Sequence, residues 1–395
     1  MTSAPRTICA AGAVRELGLR TPPPSRTLAA VRIAALEPIL IEVPFRHPVA
    51  GVHGTRSSQL SALLRVVSDD GTEGWGNVDP TPGYSAMSSE EVYATVQQLA
   101  GVVIGLEAFN VHRQLAAMDA AVEGRSEAKA LIEMALWDLK GHALGLPVHL
   151  LLGGALRNEV TLNAWIGTVP PEQAAREALD WLARGFTTAK IKISGAGLEG
   201  RRRVEAVRNA VGDRLSLRVD FNESLHREEA IACIDALEPF GLTLCEQPIP
   251  RNDIAGLAEI RRAVRTPLMA DESVQDEASL MEIIRLEAVD IVKVKVMKQG
   301  GLLRTLRMIE IAAAAGIRSV VGHGFGLSPS TLAEVQVAAC SEAVLPGCEA
   351  VGPLKMAADV VTEPLVLDHG VIRLSDAPGI GFVIDHSALK QLRVA

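Results

Sequence analysis

Apolar and polar positions alternate along Thr187-Thr-Ala-Lys-Ile-Lys-Ile-Ser194, the pattern of a strand with two unlike faces. Ala189, Ile191 and Ile193 share one face; Thr188, Lys190, Lys192 and Ser194 share the other. The design returns in Leu215-Ser-Leu-Arg-Val-Asp-Phe-Asn222, where Arg218, Asp220 and Asn222 oppose four apolar residues. It returns again in Val289-Asp-Ile-Val-Lys-Val-Lys-Val296, with Lys293 and Lys295 opposite Val292, Val294 and Val296. Between them, Leu244-Cys-Glu-Gln247 and Met269-Ala-Asp-Glu272 are apolar runs that end in carboxylates.

The spacing of these runs predicts the architecture. Lys192 to Asp220 is 28 residues, then 26 to Glu246, 25 to Asp271, 24 to Lys295 and 28 to His323. One strand, one helix and two loops fill that length, and strict alternation of strands with helices implies a parallel sheet. Charged residues recurring at strand carboxyl ends read as catalytic in an eight-stranded α/β barrel, where those ends meet in one pocket. The fold class is therefore α/β, with an eight-stranded α/β barrel over residues 159–350.

Elsewhere the pattern changes. Residues 1–30 are rich in Pro, Ala and Arg, and Pro22-Pro-Pro24 forbids a helix there, so they read as a mobile leader. Strand-like runs at 33–43 and 61–68 precede the turn Asp69-Asp-Gly71, and Ser88-Ser-Glu-Glu91 opens a helix. Ala128, Leu131, Ile132, Ala135, Leu136, Leu139 and Ala143 make one apolar helical face, ended by Gly145 and Pro147. Residues 31–158 thus read as a small α+β domain. The tail, 351–395, breaks the barrel spacing, carries short β-like runs at 365–367 and 371–374, and is expected to return to that domain.

Composition narrows the partners. With 48% apolar residues in 395 and a net charge of −8, the chain has ample core and no electrostatic reason to bind nucleic acid. Its five cysteines show no paired or metal-type spacing, which points to a reducing, cytoplasmic setting, and no apolar run reaches the ~20 residues a membrane span needs. The expected partner is a small molecule. For a single carboxylate a surface or capping role is the simplest reading, but Asp220, Glu246 and Asp271 fall at strand ends with barrel spacing. An oxygen-only donor set suits a hard cation such as Mg²⁺. Asn222 sits beside that set, as a supporting or substrate-binding residue, and Glu272 and Asp290 read as structural. His323, in Gly322-His-Gly324, reads equally as an acid/base group, a substrate contact or a structural histidine. His47 and His53, with Arg46 and Arg56, lie in a segment able to close over the pocket.

Gly195-Ala-Gly-Leu-Glu-Gly200 matches the dinucleotide fingerprint, with Asp220 twenty residues past its last glycine. An NAD-dependent dehydrogenase would need the preceding strand buried on both faces and nearly all apolar, which Lys190 and Lys192 contradict. The glycines are better read as a loop.

Lys190-Ile-Lys192, Asp220-Phe-Asn222, Cys245-Glu-Gln-Pro248, Ala270-Asp-Glu-Ser273 and Lys293-Val-Lys-Val-Met-Lys-Gln-Gly-Gly301 together resemble the enolase superfamily, in its muconate lactonizing enzyme branch. Ala135-Leu-Trp-Asp-Leu-Lys-Gly141 and Leu151-Leu-Gly-Gly154 extend the resemblance to about residues 31–395. It implies a modified (β/α)7β TIM-like barrel with an α+β capping domain, Asp220, Glu246 and Asp271 as holders of Mg²⁺, and Lys192 and Lys295 as groups that move protons on opposite sides of a small carboxylate substrate. Lys190 is implicated beside Lys192, as a neighbouring cation or a carboxylate contact, and Lys293 and His323 as substrate contacts. The implied reaction is abstraction of the proton α to a carboxylate through a metal-stabilised enediolate. Two facing lysines suit racemisation or epimerisation of an amino-acid derivative or proline-like acid; dehydration or muconate-type cycloisomerisation are the alternatives on the same scaffold. The resemblance also implies a homo-oligomer. Two departures bear on the substrate. A sister branch has a catalytic histidine where His323 stands, paired with an acid where this chain has Lys295. The loop Gly74-Trp-Gly-Asn-Val-Asp-Pro-Thr-Pro-Gly-Tyr84 lacks the acidic residue that often follows Gly-Trp-Gly.

Overall fold

The computed structural model describes residues 31–51 and 54–394; the expected leader and His53 lie outside them. Strands β1 (Ile33–Gly51), β2 (Gly54–Ser68) and β3 (Glu73–Val78) form an antiparallel sheet in chain order. Three helices cover it: α1 (Ser89–Val103), α2 (Val111–Ala121) and α3 (Ser126–Leu144). Ser88 caps α1 through its side chain, and Glu91 returns a bond to the cap, satisfying amides that the first turn leaves free. Gly74 and Gly76 let β3 lie against α3 almost backbone to backbone. A Cβ on Gly74 would fall 2.2 Å from the Ala135 carbonyl oxygen, and one on Gly76 2.4 Å from that of Leu131.

A short helix, α4 (Val148–Leu151), and strand β4 (Glu159–Thr161) lead to the barrel. Seven parallel strands stand side by side in chain order: β5 (Ala164–Ile166), β6 (Thr188–Lys192), β7 (Ser216–Asp220), β8 (Leu242–Glu246), β9 (Leu268–Ala270), β10 (Ile291–Val294) and β11 (Arg318–Val321). Helices α5 (Pro171–Ala183), α6 (Leu198–Val211), α7 (Arg227–Asp235), α8 (Ile254–Ala263) and α9 (Glu277–Leu286) connect the first six. The short α10 (Val296–Gln299) and then α11 (Leu302–Ala314) follow β10, and α12 (Ser328–Ala339) follows β11.

The segment 343–350 takes the eighth place. Leu345 N donates to Ser319 O and Glu349 N to Val321 O, both at 2.8 Å, while Cys348 exchanges bonds of 2.8 Å with Thr161 and Asn163 on the other side. This closes the ring as (β/α)7β, the expected fold class. Because β5 pairs with β6 through Trp165↔Lys190, and β6 with β7 through Lys192↔Asp220, the charged positions point into the barrel, where Leu244, Met269, Ile291 and Val320 form a small apolar cluster on the same inward faces.

Beyond the barrel, β12 (Val371–Arg373) pairs with β4, and α13 (His386–Leu392) packs on β1. Phe45 bridges Met356, and Val394 N donates to Leu40 O at 2.9 Å, so the tail runs back along the cap. The run at 365–367 is not a strand, unlike 371–373. It follows Pro364 and enters a tight turn in which Asp368 pairs with Val371 around Gly370 (φ 72°), so its backbone has no neighbouring strand to join.

Candidate active site

Strand register brings the sequence-predicted residues together. Lys192, Asp220 and Glu246 are direct partners across β6, β7 and β8, so they form one row at about 4.8 Å spacing. Asp271 follows the end of β9 and Lys295 the end of β10. Lys190 lies one inward position below Lys192, and Lys293 one below Lys295. Lys192 and Lys295 come from strands four places apart in an eight-place ring, and therefore face each other across the barrel mouth.

Ammonium groups bridge the carboxylates. Lys190 Nζ lies 2.9 Å from Asp220 Oδ2 and 2.8 Å from Glu246 Oε2, and also contacts Glu349. Lys293 Nζ lies 2.8 Å from Glu246 Oε1 and 3.3 Å from Asp271 Oδ2, and also contacts Glu349. Lys192 Nζ donates to Asp220 Oδ2 at 2.6 Å and to Asn222, whose own amide donates to Glu272 Oε1 at 3.0 Å. On the far side Lys295 Nζ lies 2.8 Å from Asp271 Oδ2, and Lys298 Nζ 2.9 Å from Asp271 Oδ1. Asn222 (φ 44°) and Gln247 (φ 33°) turn the chain sharply where these strands end, in a region that costs most residues energy.

Burial would keep these acids neutral if nothing else acted. At Asp220 and Asp271 it is outweighed by the surrounding lysines, which hold both carboxyls well below the ordinary range. At Glu349 burial is outweighed in the same way by Lys190 and Lys293. At Glu246 burial, then Asp220 and Glu349, win and push the carboxyl up. Burial also works against the charge of Lys190 and Lys293, but the carboxylates around each hold its pKa above the usual lysine value. Lys298 goes the other way, lowered to about 8 by burial against the pull of Asp271.

The donor set has the chemistry of a hard-cation site. Among the described residues no three acidic, His or Cys side chains already stand as a finished cage. Positive charge is nevertheless required where Asp220, Glu246 and Asp271 converge, and the Lys190 and Lys293 ammonium groups supply it by standing between them. Buried oxygens of Glu272 (Oε2) and Glu349 (Oε1) take no hydrogen bond. Oxygen donors on three adjacent strand ends fit Mg²⁺ better than a softer ion.

His323 stands apart from these groups. Its Nδ1 lies 3.0 Å from Glu334 Oε2 on α12, and its Nε2 3.6 Å from Asp79 Oδ2, just beyond β3 of the cap. Neither approach is an aligned hydrogen bond, so the attraction is ionic. Burial opposes the charge, but Glu334 and Asp79 outweigh it and raise the imidazole to about 9. Asp79 also accepts from Ser61 at 2.6 Å and Ser330 at 2.7 Å. Asp290, expected to be structural, pairs with Arg261 and accepts from Leu268 N at 2.9 Å.

A cavity of about 700 Å³ covers the site, lined by Lys192, Lys295, Asp220, Asp271 and His323, by Tyr84 of the cap loop, and by Arg46, His47 and Arg56. Glu349, Lys298 and Lys355 were not anticipated. Glu349 had a signal: it lies 26 residues beyond His323, one more step of the barrel spacing. Lys298 lies off the strand alternation, and Lys355 carries no periodic signal. The Gly195–Gly200 segment sits at the start of α6, and the charged residues of this pocket lie outside it.

Two family models match the chain. "Mandelate racemase / muconate lactonizing enzyme, N-terminal domain" covers residues 35–153 and "Enolase C-terminal domain-like" covers 173–388. The chain is 31% identical to the N-succinyl-L-Arg/Lys racemase of Bacillus cereus over 92% of its length and 98% of the relative's. The crystal structure of that racemase superposes with a TM-score of 0.89, again over 92% and 98%. A chloromuconate cycloisomerase of Cupriavidus pinatubonensis is 32% identical over 89% of this chain and 96% of its own. A dipeptide epimerase of Enterococcus faecalis, solved with Mg and L-Leu-L-Tyr, superposes at TM-score 0.85 with 28% identity, over 89% and 99%. The chain belongs to the mandelate racemase/muconate lactonizing enzyme family of the enolase superfamily, and it is an isomerase.

Proposed function

We propose that the protein racemises or epimerises an amino-acid derivative or proline-like acid, by Mg²⁺-dependent removal and return of the proton α to a carboxylate. One observation carries the reading: Lys192 and Lys295 face each other across the barrel mouth, each on the carboxylate of a different strand. A base on one side takes the proton, and the ammonium opposite returns one to the other face, inverting the centre. When bound at Asp220, Glu246 and Asp271, a divalent cation offsets the negative charge that builds on the substrate carboxylate.

The chain's own residues do the rest. A lysine near its ordinary pKa of about 10.4 is protonated at neutral pH, so the receiving lysine must first lose a proton. Lys190 shares Asp220 Oδ2 with Lys192 and so places a second ammonium beside it. Lys298, sharing Asp271 with Lys295, does the same on the other side. Asn222 holds Lys192 toward the pocket, which Tyr84 of the cap loop also lines. Lys293, between Glu246, Asp271 and Glu349, is a buried spacer of charge more than a substrate contact. His323, with both ring nitrogens turned to carboxylates, binds the cap to the barrel.

The racemase and epimerase relatives support this reading. The cycloisomerase relative supports a second, lactone formation or opening with one of the same lysines. Incubation of N-acyl amino acids, dipeptides, proline-like acids and lactones with enzyme and Mg²⁺ in D₂O separates them. Solvent deuterium entering the α-position with loss of optical purity is the expected result. Ring closure or opening with an intact stereocentre would replace it with the second reading.

A further inference from the structure

Beyond the last paired residues of β5 and β6, a guanidinium stands where a strand would be. β5 ends at Ile166, opposite Ile191, so Lys192, the final residue of β6, has no strand beside it on that edge. Ile193 N donates to Asp220 O at 3.0 Å on the β7 side, and the backbone groups of successive strand residues alternate sides, which turns the Lys192 carbonyl toward the open edge. Arg203 of α6 meets it there. Its Nη1 donates to Lys192 O at 3.0 Å, and its Nε to Val169 O, in the loop after β5, at 2.6 Å. Arg203 is 3% exposed, and both bonds go to main-chain carbonyls and not to a carboxylate. Burying a cation is costly unless it is well bonded, so a guanidinium placed on two carbonyls marks main chain whose direction matters.

Gly200, one turn before Arg203, lets α6 sit close enough for this. A Cβ on Gly200 would fall 2.6 Å from Cγ2 of Ile193, the residue that follows Lys192. The last glycine of the run that matches a dinucleotide fingerprint therefore serves helix–strand packing. Lys295, across the mouth, is held by other means. Its N donates to Gln299 Oε1 at 2.7 Å, and its carbonyl accepts from Gln299 N at 3.0 Å. The main chain under each lysine is thus fixed by a different residue.

We propose that Arg203 is a positioning residue for Lys192. By fixing the direction of the Lys192 carbonyl it fixes the Cα–Cβ bond beside it, and with that the reach of the ammonium past Asp220 and Asn222 into the cavity. Its loss impairs proton transfer on one face of the substrate and spares the other. The proposal rests on the opposed-lysine reading above, in which a reacting group displaced by about 1 Å costs about 100-fold.

The test follows α-deuterium uptake in D₂O with Mg²⁺ from the separate enantiomers of N-succinylarginine, N-acetylmethionine and proline. It compares the full chain with Arg203→Leu, Arg203→Lys and Gly200→Ala, and Lys192→Ala identifies the enantiomer that Lys192 serves. Amide hydrogen exchange of residues 188–194 and 291–297 is measured alongside by mass spectrometry. In Arg203→Leu, uptake from the Lys192-served enantiomer should fall about ten-fold or more, in kcat and not KM, while the other enantiomer stays within about two-fold of wild type. Arg203→Lys, which keeps a charged donor, should recover part of the loss. Gly200→Ala, which keeps the guanidinium but moves α6 off Ile193, should reproduce the one-sided loss in milder form, and gives the reading should Arg203→Leu not fold. Amide exchange should quicken at 188–194 and not at 291–297. Equal slowing from both enantiomers, or none, overturns the positioning role and leaves the reaction standing. No uptake by the wild type from any of the three acids counts against the reaction; faster amide exchange confined to 188–194 then keeps Arg203 as the anchor of Lys192, and unchanged amide exchange removes that as well.

Discussion

Lys190 and Lys192 share one oxygen: both ammonium groups lie on Oδ2 of Asp220, at 2.9 and 2.6 Å. Lys190 is also clasped by Glu246 and Glu349, whereas Lys192 has a third of its side chain exposed to the cavity. One lysine of the pair therefore serves the interior and the other faces substrate.

The first expectation concerns Lys190. Lys190→Met leaves Asp220, Glu246 and Glu349 crowded without their shared cation, and breaking a buried ion pair from one side costs about 3–5 kcal/mol. Urea unfolding at pH 8 without Mg²⁺ should show a loss of that size, partly recovered when Mg²⁺ is added. A loss within experimental error of zero would mean the interior charges are not balanced as described.

A second expectation concerns the metal. Mg²⁺ should bind at a single site by calorimetry and raise the unfolding midpoint, since a ligand at 100 times its Kd stabilises by about 2.7 kcal/mol. Asp220→Asn, Glu246→Gln and Asp271→Asn should each weaken binding at least about ten-fold, because each removes a charged oxygen donor. Chelator treatment should abolish deuterium exchange, and Mg²⁺ should restore it. Unaltered Mg²⁺ affinity in all three variants would remove these residues from the metal.

His323 ties the cap to the barrel through Asp79 and Glu334, which makes its effect on stability pH-dependent. Its pKa is raised from 6.5 unfolded to about 9 folded, so the stabilisation is fully present below 6.5 and is lost as pH rises through 9. The shift corresponds to about 3 kcal/mol. The stability gap between wild type and His323→Asn should be near that value at pH 6.5 and narrow by pH 9.5. A gap that does not change with pH would contradict a charged His323.

Much of this was legible in the chain because a barrel strand shows its inner face as period-two polarity and recurs at a nearly constant interval. Those two signals located β6 to β11 and the row Lys192, Asp220, Glu246. Glu349 obeys the same interval but sits on a strand too irregular to alternate, so the period alone could point to it. Lys355 and the partners of His323 were hidden for another reason. They meet through the packing of cap against barrel, and no local pattern encodes which loop residues face each other across that seam. The run at 365–367 had strand-like residues but no partner strand, a condition that only tertiary structure sets.

The opposed lysines are tested most directly by following α-deuterium uptake separately from each enantiomer of one turned-over acid, by proton NMR at early times. Lys192→Ala should slow uptake from one enantiomer by about 100-fold or more while the other still exchanges, and Lys295→Ala should show the reverse preference. Wild-type exchange from both enantiomers in both variants would contradict the account.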